Sequence, residues 1–138
     1  VVQFVKGMWQ TGERNVFERF PELCTFKALG EGFTWETQDK ERDIAAARRA
    51  LEAARAMLVD PNFRMVILDE VNIALRYGYL SLGEVLDAVS ARPAPTHAVL
   101  TGRGAPEGLI EAADLVTEMT LVKHPFRSGV KAQKGVEF

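Results

Sequence analysis

Cysteine is nearly missing from this sequence: Cys24 is the single thiol in 138 residues. No internal disulfide and no cysteine-rich zinc cage can form from one thiol. A signal-peptide pattern is also lacking, which points to a reducing compartment, and the cytoplasm is the expected location. Long apolar runs are absent, since none approaches the roughly 18–20 residues that span a bilayer. The most apolar helical stretch, around Ala45–Leu58, is broken by Arg48, Arg49, Glu52 and Arg55. Neither sign of charge is in excess: 17 Lys and Arg stand against 19 Asp and Glu, a formal net charge of −2. A general nucleic-acid binder needs surplus cations to displace phosphate counterions, so neither a membrane nor a nucleic acid is an expected partner. The two histidines, His97 and His124, have no partner at metal-ligand spacing, and no Ser/His/Asp arrangement stands out.

What is present is an ordinary globular composition, 47% hydrophobic and 26% charged. The length suits one domain spanning residues 1–138, with no repeat or composition break to divide it. The chain opens inside the apolar run Val1-Val2-Gln3-Phe4-Val5, without a Met or a leading loop, so further sequence is expected upstream. Val1–Lys6, Arg64–Asp69, Thr96–Thr101 and Leu115–Val122 are predicted strands, and Thr25–Leu29 is a weaker fifth. Met65-Val66-Ile67-Leu68 is apolar throughout, the pattern of a strand covered on both faces.

A helix is predicted from Gln38 to Val59, where Ile44, Ala47, Leu51, Ala54 and Leu58 form one apolar stripe. Thr37 is placed to cap its start and Pro61 to stop it. Shorter helices fit Val71–Tyr77, Leu82–Ala91 with Ser81 as cap, and Pro106–Ala113. This alternation implies an α/β fold, a mostly parallel sheet with helices on both faces.

In such sheets ligands lie outside the carboxyl ends of the strands. The residues following successive predicted strands are Lys6-Gly7, Asp69-Glu70, Gly102-Arg103-Gly104 and Lys123-His124, a set suited to a phosphate-bearing ligand. An acid at the tip of a buried strand can hold magnesium beside substrate phosphates, in the manner of a Walker B element, or it can simply cap the next helix. Gly32-Phe33-Thr34-Trp35-Glu36-Thr37 puts two large rings two residues apart; they suit a flat ligand, a subunit contact, or a staple onto the core. Lys123, His124, Arg127, Lys131 and Lys134 form a basic tail that could embrace a polyphosphate or simply be solvated.

Taken in order, Val-Gln-Phe-Val-Lys-Gly (2–7), Gly-Glu-Arg-Asn (12–15), Gly-Phe-Thr-Trp-Glu-Thr (32–37), Leu-Asp-Glu (68–70), Ala-Arg-Pro (91–93), Thr-Gly-Arg-Gly (101–104), Val-Lys-His-Pro-Phe (122–126) and the closing Gly-Val-Lys-Ala-Gln-Lys-Gly-Val-Glu-Phe (129–138) resemble the ATP:corrinoid adenosyltransferases of bacterial cobalamin biosynthesis. The resemblance implies a RecA-like P-loop fold, a homodimer, magnesium or manganese, and transfer of the 5′-deoxyadenosyl group of ATP to Co(I) of a corrinoid with release of triphosphate. It implies that Phe33, Thr34, Trp35 and Glu36 line the corrinoid site, with Phe33 and Trp35 keeping the lower axial ligand off cobalt. Glu70, with Asp69 beside it, would belong to the metal and triphosphate site, and Arg103 and Lys131 would help to hold ATP. Reduction to Co(I) calls for an electron donor as a further partner. The family's phosphate loop has no counterpart here, because no G-x-x-x-x-G-K-[ST] occurs. The fold is therefore expected to be truncated at its N-terminus and turnover of the chain alone to be poor. The alternatives are a catalytically inactive corrinoid-binding protein and, more remotely, another P-loop phosphotransferase.

Overall fold

The computed structural model describes residues 1–5, 12–30 and 40–131. In chain order the elements are β1 (Val2–Gln3), α1 (Gly12–Phe17), β2 (Lys27–Ala28), α2 (Lys40–Val59), β3 (Met65–Asp69), α3 (Val71–Arg76), α4 (Leu82–Ser90), β4 (His97–Leu100) and α5 (Glu107–Ala112). A 3-10 turn follows at Pro125–Ser128. The strands form one sheet in the order β2-β1-β3-β4. All three pairings are parallel, as the strand–helix alternation requires.

The run Met65–Leu68 forms the middle of the sheet. Val66 and Leu68 point to a face where both are essentially fully buried, beneath α2. The other face, on which Met65 and Ile67 alternate with them, is more open, and Met65 is 52% exposed. Helix α2 is alanine-rich, which favours helix and lets its axis approach the sheet closely. Glu41 and Asp43 in its first turn complement the helix dipole. Its predicted stripe is buried from Ala47 to Leu58 and is broadened by Ala46, Ala50 and Met57. All of these except Ala46 join Val2, Phe4, Val71, Ala74, Leu80, Val85 and Ala88 in a single core.

Helix α4 begins as predicted at Ser81. The Ser81 hydroxyl accepts from the Glu84 N–H at 3.2 Å, while the Glu84 carboxylate accepts from the Ser81 N–H at 2.8 Å. These reciprocal bonds form a capping box. The Ser81 hydroxyl also donates to Glu84. Side-chain and then backbone bonds from Ser81 hold the Glu84 carboxyl below its ordinary value.

Two sequence expectations need correction. Leu115–Val122 is not a strand: it runs irregularly and exposed, with Leu115 at 84% and Met119 at 94%. An apolar run becomes a strand only beside a backbone that completes its ladder, and no described strand pairs with it. Helix α1 was not expected, because it buries no residue and so carries no apolar stripe. Its Phe17 instead stacks on Phe26, with ring centroids 6.0 Å apart. The predicted strand tip at Lys6 and the helix cap at Thr37 lie outside the described residues.

Candidate functional site

The chain connects β1 to β2 on one side of the sheet and β3 to β4 on the other, so the direction of winding switches between β1 and β3. In open parallel sheets the crevice at this point, outside the carboxyl ends of the strands, is where ligands bind. At this point Gln3 lies in register with Asp69. The Gln3 side-chain amide donates to Asp69 Oδ2 at 3.0 Å. From the other side the Thr101 hydroxyl, just past β4, donates to Asp69 Oδ1 at 2.8 Å. Asp69 is thus clamped by one donor on each oxygen, in a polar row crossing three adjacent strands. Each oxygen keeps a further lone pair for a ligand.

Glu70 is the only non-glycine described residue with positive φ, at φ 62 and ψ 23. For a side-chain-bearing residue this left-handed conformation costs about 1–2 kcal/mol. It is held by the Glu70 N–H, which donates to the Thr101 hydroxyl at 2.9 Å. Backbone strain of this kind collects at ligand-binding turns. Asp69 does not cap the next helix. Glu70 occupies the N-cap position of α3, and its side chain makes no capping bond.

The loop after β4 is pinned against the same turn. The Asn72 N–H donates to the Thr101 carbonyl at 3.2 Å. The Asn72 side-chain amide donates to the Gly102 carbonyl, also at 3.2 Å. Gly102 has φ +126, and a Cβ there would lie 2.9 Å from Asn72 Cβ and 3.2 Å from Glu70 Oε2. The glycine therefore lets the loop close onto Glu70. Asn72 is 4% exposed, and its side-chain oxygen accepts no hydrogen bond.

The structure thus brings Asp69 and Glu70 together with the Thr101–Gly102 loop. Arg103 follows in that loop and is exposed. Lys131 is exposed beyond the 3-10 turn, where His124 Nδ1 accepts from the Phe126 N–H. No hydrogen bond or ion pair among the described residues ties either cation to the acids. Phe33, Thr34, Trp35 and Glu36 lie outside the described residues. Gln3, Asn72 and the Thr101 hydroxyl escaped the sequence reading. A glutamine inside the apolar run Val1–Val5 was the available signal for the first.

The donor set fits a hard divalent cation. No group of three or more His, Cys, Asp and Glu converges among the described residues, so these residues offer no closed cage. Two carboxylates at a strand tip match the habit of magnesium, which retains waters and completes its shell with phosphate oxygens. No helix among the described residues is long and apolar enough to cross a membrane.

A parallel sheet with paired acids and a close-packed glycine loop at its switch point defines an α/β protein suited to a phosphate-bearing ligand accompanied by a cation. The sequence profile of the family described as ATP:corrinoid adenosyltransferase BtuR/CobO/CobP matches residues 1–138. The chain belongs to this family of transferases. It is 60% identical over 138 residues to a corrinoid adenosyltransferase of Pseudomonas aeruginosa, covering 100% of this chain and 68% of that one. Against a corrinoid adenosyltransferase of Sinorhizobium it is 59% identical over 140 residues, covering 100% and 65%. Against the corrinoid adenosyltransferase CobA of Salmonella typhimurium it is 45% identical over 138 residues, covering 100% and 69%. The chain therefore spans about two thirds of the length of these relatives.

Proposed function

We propose that this chain, acting as one domain, serves the transfer of the 5′-deoxyadenosyl group from ATP to the cobalt of a corrinoid in adenosylcobalamin formation. The observation that carries the reading is the family match over every residue, joined to a carboxylate pair held at the ligand edge of the sheet. The Co(I) electron pair attacks C5′ of ATP, the bond from C5′ to the triphosphate oxygen breaks, and a cobalt–carbon bond forms. Cobalt(I) is itself the nucleophile, so the protein need not supply a general base. Its work is to align cobalt with C5′ and to offset charge on the departing triphosphate.

Phe33 and Trp35 are assigned to the corrinoid face, with Thr34 and Glu36 beside them. Rings there exclude water from the vacated axial position of cobalt. Asp69 and Glu70 would hold Mg²⁺ or Mn²⁺, which when bound neutralises phosphate charge. Arg103 and Lys131 are the ATP contacts assigned within this chain. A homodimer, an electron-donor protein and a cytoplasmic setting complete the proposal. The last agrees with a single thiol, Cys24, and a need for reductant.

Trp35→Ala in the full-length protein tests this reading. The rate of adenosylcobalamin formation under reducing conditions is expected to fall by about 10²-fold, the scale of a misaligned reacting pair; an unchanged rate refutes the assignment. The second reading is a catalytically inactive corrinoid-binding protein. ATP and reduced cobalamin added to the chain separate the two, because a binder shifts the corrinoid spectrum without forming adenosylcobalamin.

A further inference from the structure

We infer that Thr101 is a positioning residue for the acid pair, and that Gln3 is its counterpart on the opposite side. The inference rests on the proposed role of Asp69 and Glu70 in holding a divalent cation. Thr101 follows Leu100, whose register partner on β3 is Leu68, so its hydroxyl emerges level with the tip of β3. That hydroxyl has two partners of opposite kind. It donates to Asp69 Oδ1 at 2.8 Å and accepts from the Glu70 N–H at 2.9 Å. With its single proton committed to Asp69, it can meet the amide only as an acceptor. One side chain thereby sets the carboxylate plane of Asp69 and the left-handed backbone of Glu70 together.

The rest of the turn reinforces this placement. The Thr101 carbonyl accepts from the Asn72 N–H, and its own N–H donates to the Leu68 carbonyl at 3.1 Å. The residue therefore cannot swing away without breaking the β3–β4 ladder. On the far side Gln3, 5% exposed, holds Asp69 Oδ2. Its backbone pairs with Asp69 in register, so this donor too is fixed by the sheet. Partners of this kind, which touch a ligand's holder and not the ligand, orient the holder and set its basicity. Removing one typically weakens metal affinity by about 10–100-fold. Valine matches threonine in shape but lacks the hydroxyl, whereas serine keeps it.

The test uses the full-length protein and Thr101→Val, Thr101→Ser and Gln3→Met, with Mn²⁺ binding followed by electron paramagnetic resonance in the presence of ATP. Thermal midpoints and adenosylation kinetics are measured on the same samples. Thr101→Val is expected to weaken Mn²⁺ binding about 10–100-fold and to raise the metal concentration giving half-maximal rate, with KM for the corrinoid unchanged. Thr101→Ser is expected to restore both quantities to near the unsubstituted values. Gln3→Met is expected to move Mn²⁺ affinity in the same direction, and it decides the matter if Thr101→Val does not fold. Equal Mn²⁺ affinity in all variants, or equal loss in Val and Ser, overturns the inference. If the unsubstituted protein binds no Mn²⁺, the cation site and this inference fall together. Persistence of the affinity pattern without adenosylation upholds the positioning role and refutes the proposed reaction alone.

Discussion

Replacing Gly102 by alanine probes how tightly the loop after β4 must close on the acid pair. At φ +126 the glycine occupies a conformation that side-chain-bearing residues rarely adopt, and forcing one there costs about 1–3 kcal/mol. Steric crowding adds to this. The new methyl carbon would sit 2.9 Å from Asn72 Cβ and 3.3 Å from the Asn72 nitrogen, whereas relaxed carbon contacts lie at about 3.5–4.0 Å. Asn72 cannot retreat freely, because it is buried and its N–H is bonded to the Thr101 carbonyl. Overpacking of this order costs about 1–3 kcal/mol, so the total is about 2–6 kcal/mol. Gly104 supplies the internal control: its φ is +68, and nothing lies within 4 Å of a Cβ built there. Gly104→Ala should therefore cost only the left-handed strain of about 1–2 kcal/mol. For a chain of this size each kcal/mol lowers the melting temperature by about 3–5 °C. Thermal unfolding followed by circular dichroism should place Gly102→Ala at least about 3 °C below Gly104→Ala. Melting of the two variants at the same temperature would show that the Gly102–Asn72 approach is not a constraint. Glu70 Oε2 lies 3.2 Å from the same methyl position, so under the proposed cation-holding role of Glu70 the Mn²⁺ affinity should fall along with stability.

Two further outcomes follow from local hydrogen bonds. Ser81→Ala removes the capping box of α4 and should cost about 1 kcal/mol, read as a lower urea midpoint. The Glu84 carboxyl is held below its ordinary value by those Ser81 bonds, so their contribution is fully present above the unfolded carboxyl range. It is lost as pH falls through the folded value, and the difference between Ser81→Ala and the parent should shrink in acid. If the difference stays constant through that window, the coupling is refuted. Tyr79 behaves in the opposite sense. Its hydroxyl donates to Asp43 Oδ2 at 3.2 Å, and burial first, then the Asp43 charge, pushes its pKa above the ordinary value of a tyrosine. Stability tied to the neutral phenol is complete below the unfolded value and is lost as pH rises through the folded one. Tyr79→Phe should cost about 0.5–1.5 kcal/mol at neutral pH and flatten the alkaline limb of the stability profile. An alkaline limb as steep as the parent's would refute the assignment.

Elements whose signal is carried by their own residues were legible in the sequence. The stripe of α2, the Ser81 cap and the apolar run of β3 each depend on neighbours a few positions away, so periodicity and capping rules found them. The strands nevertheless proved shorter than their apolar runs: among the described residues of Val1–Lys6 the strand is Val2–Gln3, and within Thr25–Leu29 it is Lys27–Ala28. Hydrophobicity marks which residues seek the interior, but pairing depends on where a neighbouring backbone runs. Leu115–Val122 shows the same principle in its extreme form, with the composition of a strand and no described strand beside it.

The position of Asp69 and Glu70 at a strand end is legible in the sequence, but their surroundings are not. A strand ending in Asp69-Glu70 marks a place where carboxylates meet the ligand edge, and the structure keeps them there. What orients them comes from Gln3, 66 residues away along the chain, and from Thr101, 32 residues away. Nothing in either residue's immediate sequence identifies it as a partner of Asp69. They become partners only once the strand order β1-β3-β4 and the register Gln3↔Asp69 are known. The same holds for Gly102, whose local sequence marks a glycine loop but does not reveal Asn72 as the group packed against it. A strand-end motif can therefore locate a carboxylate pair at the carboxyl edge of the sheet. The residues that fix its geometry are spread across the sheet, and only strand order and register reveal them.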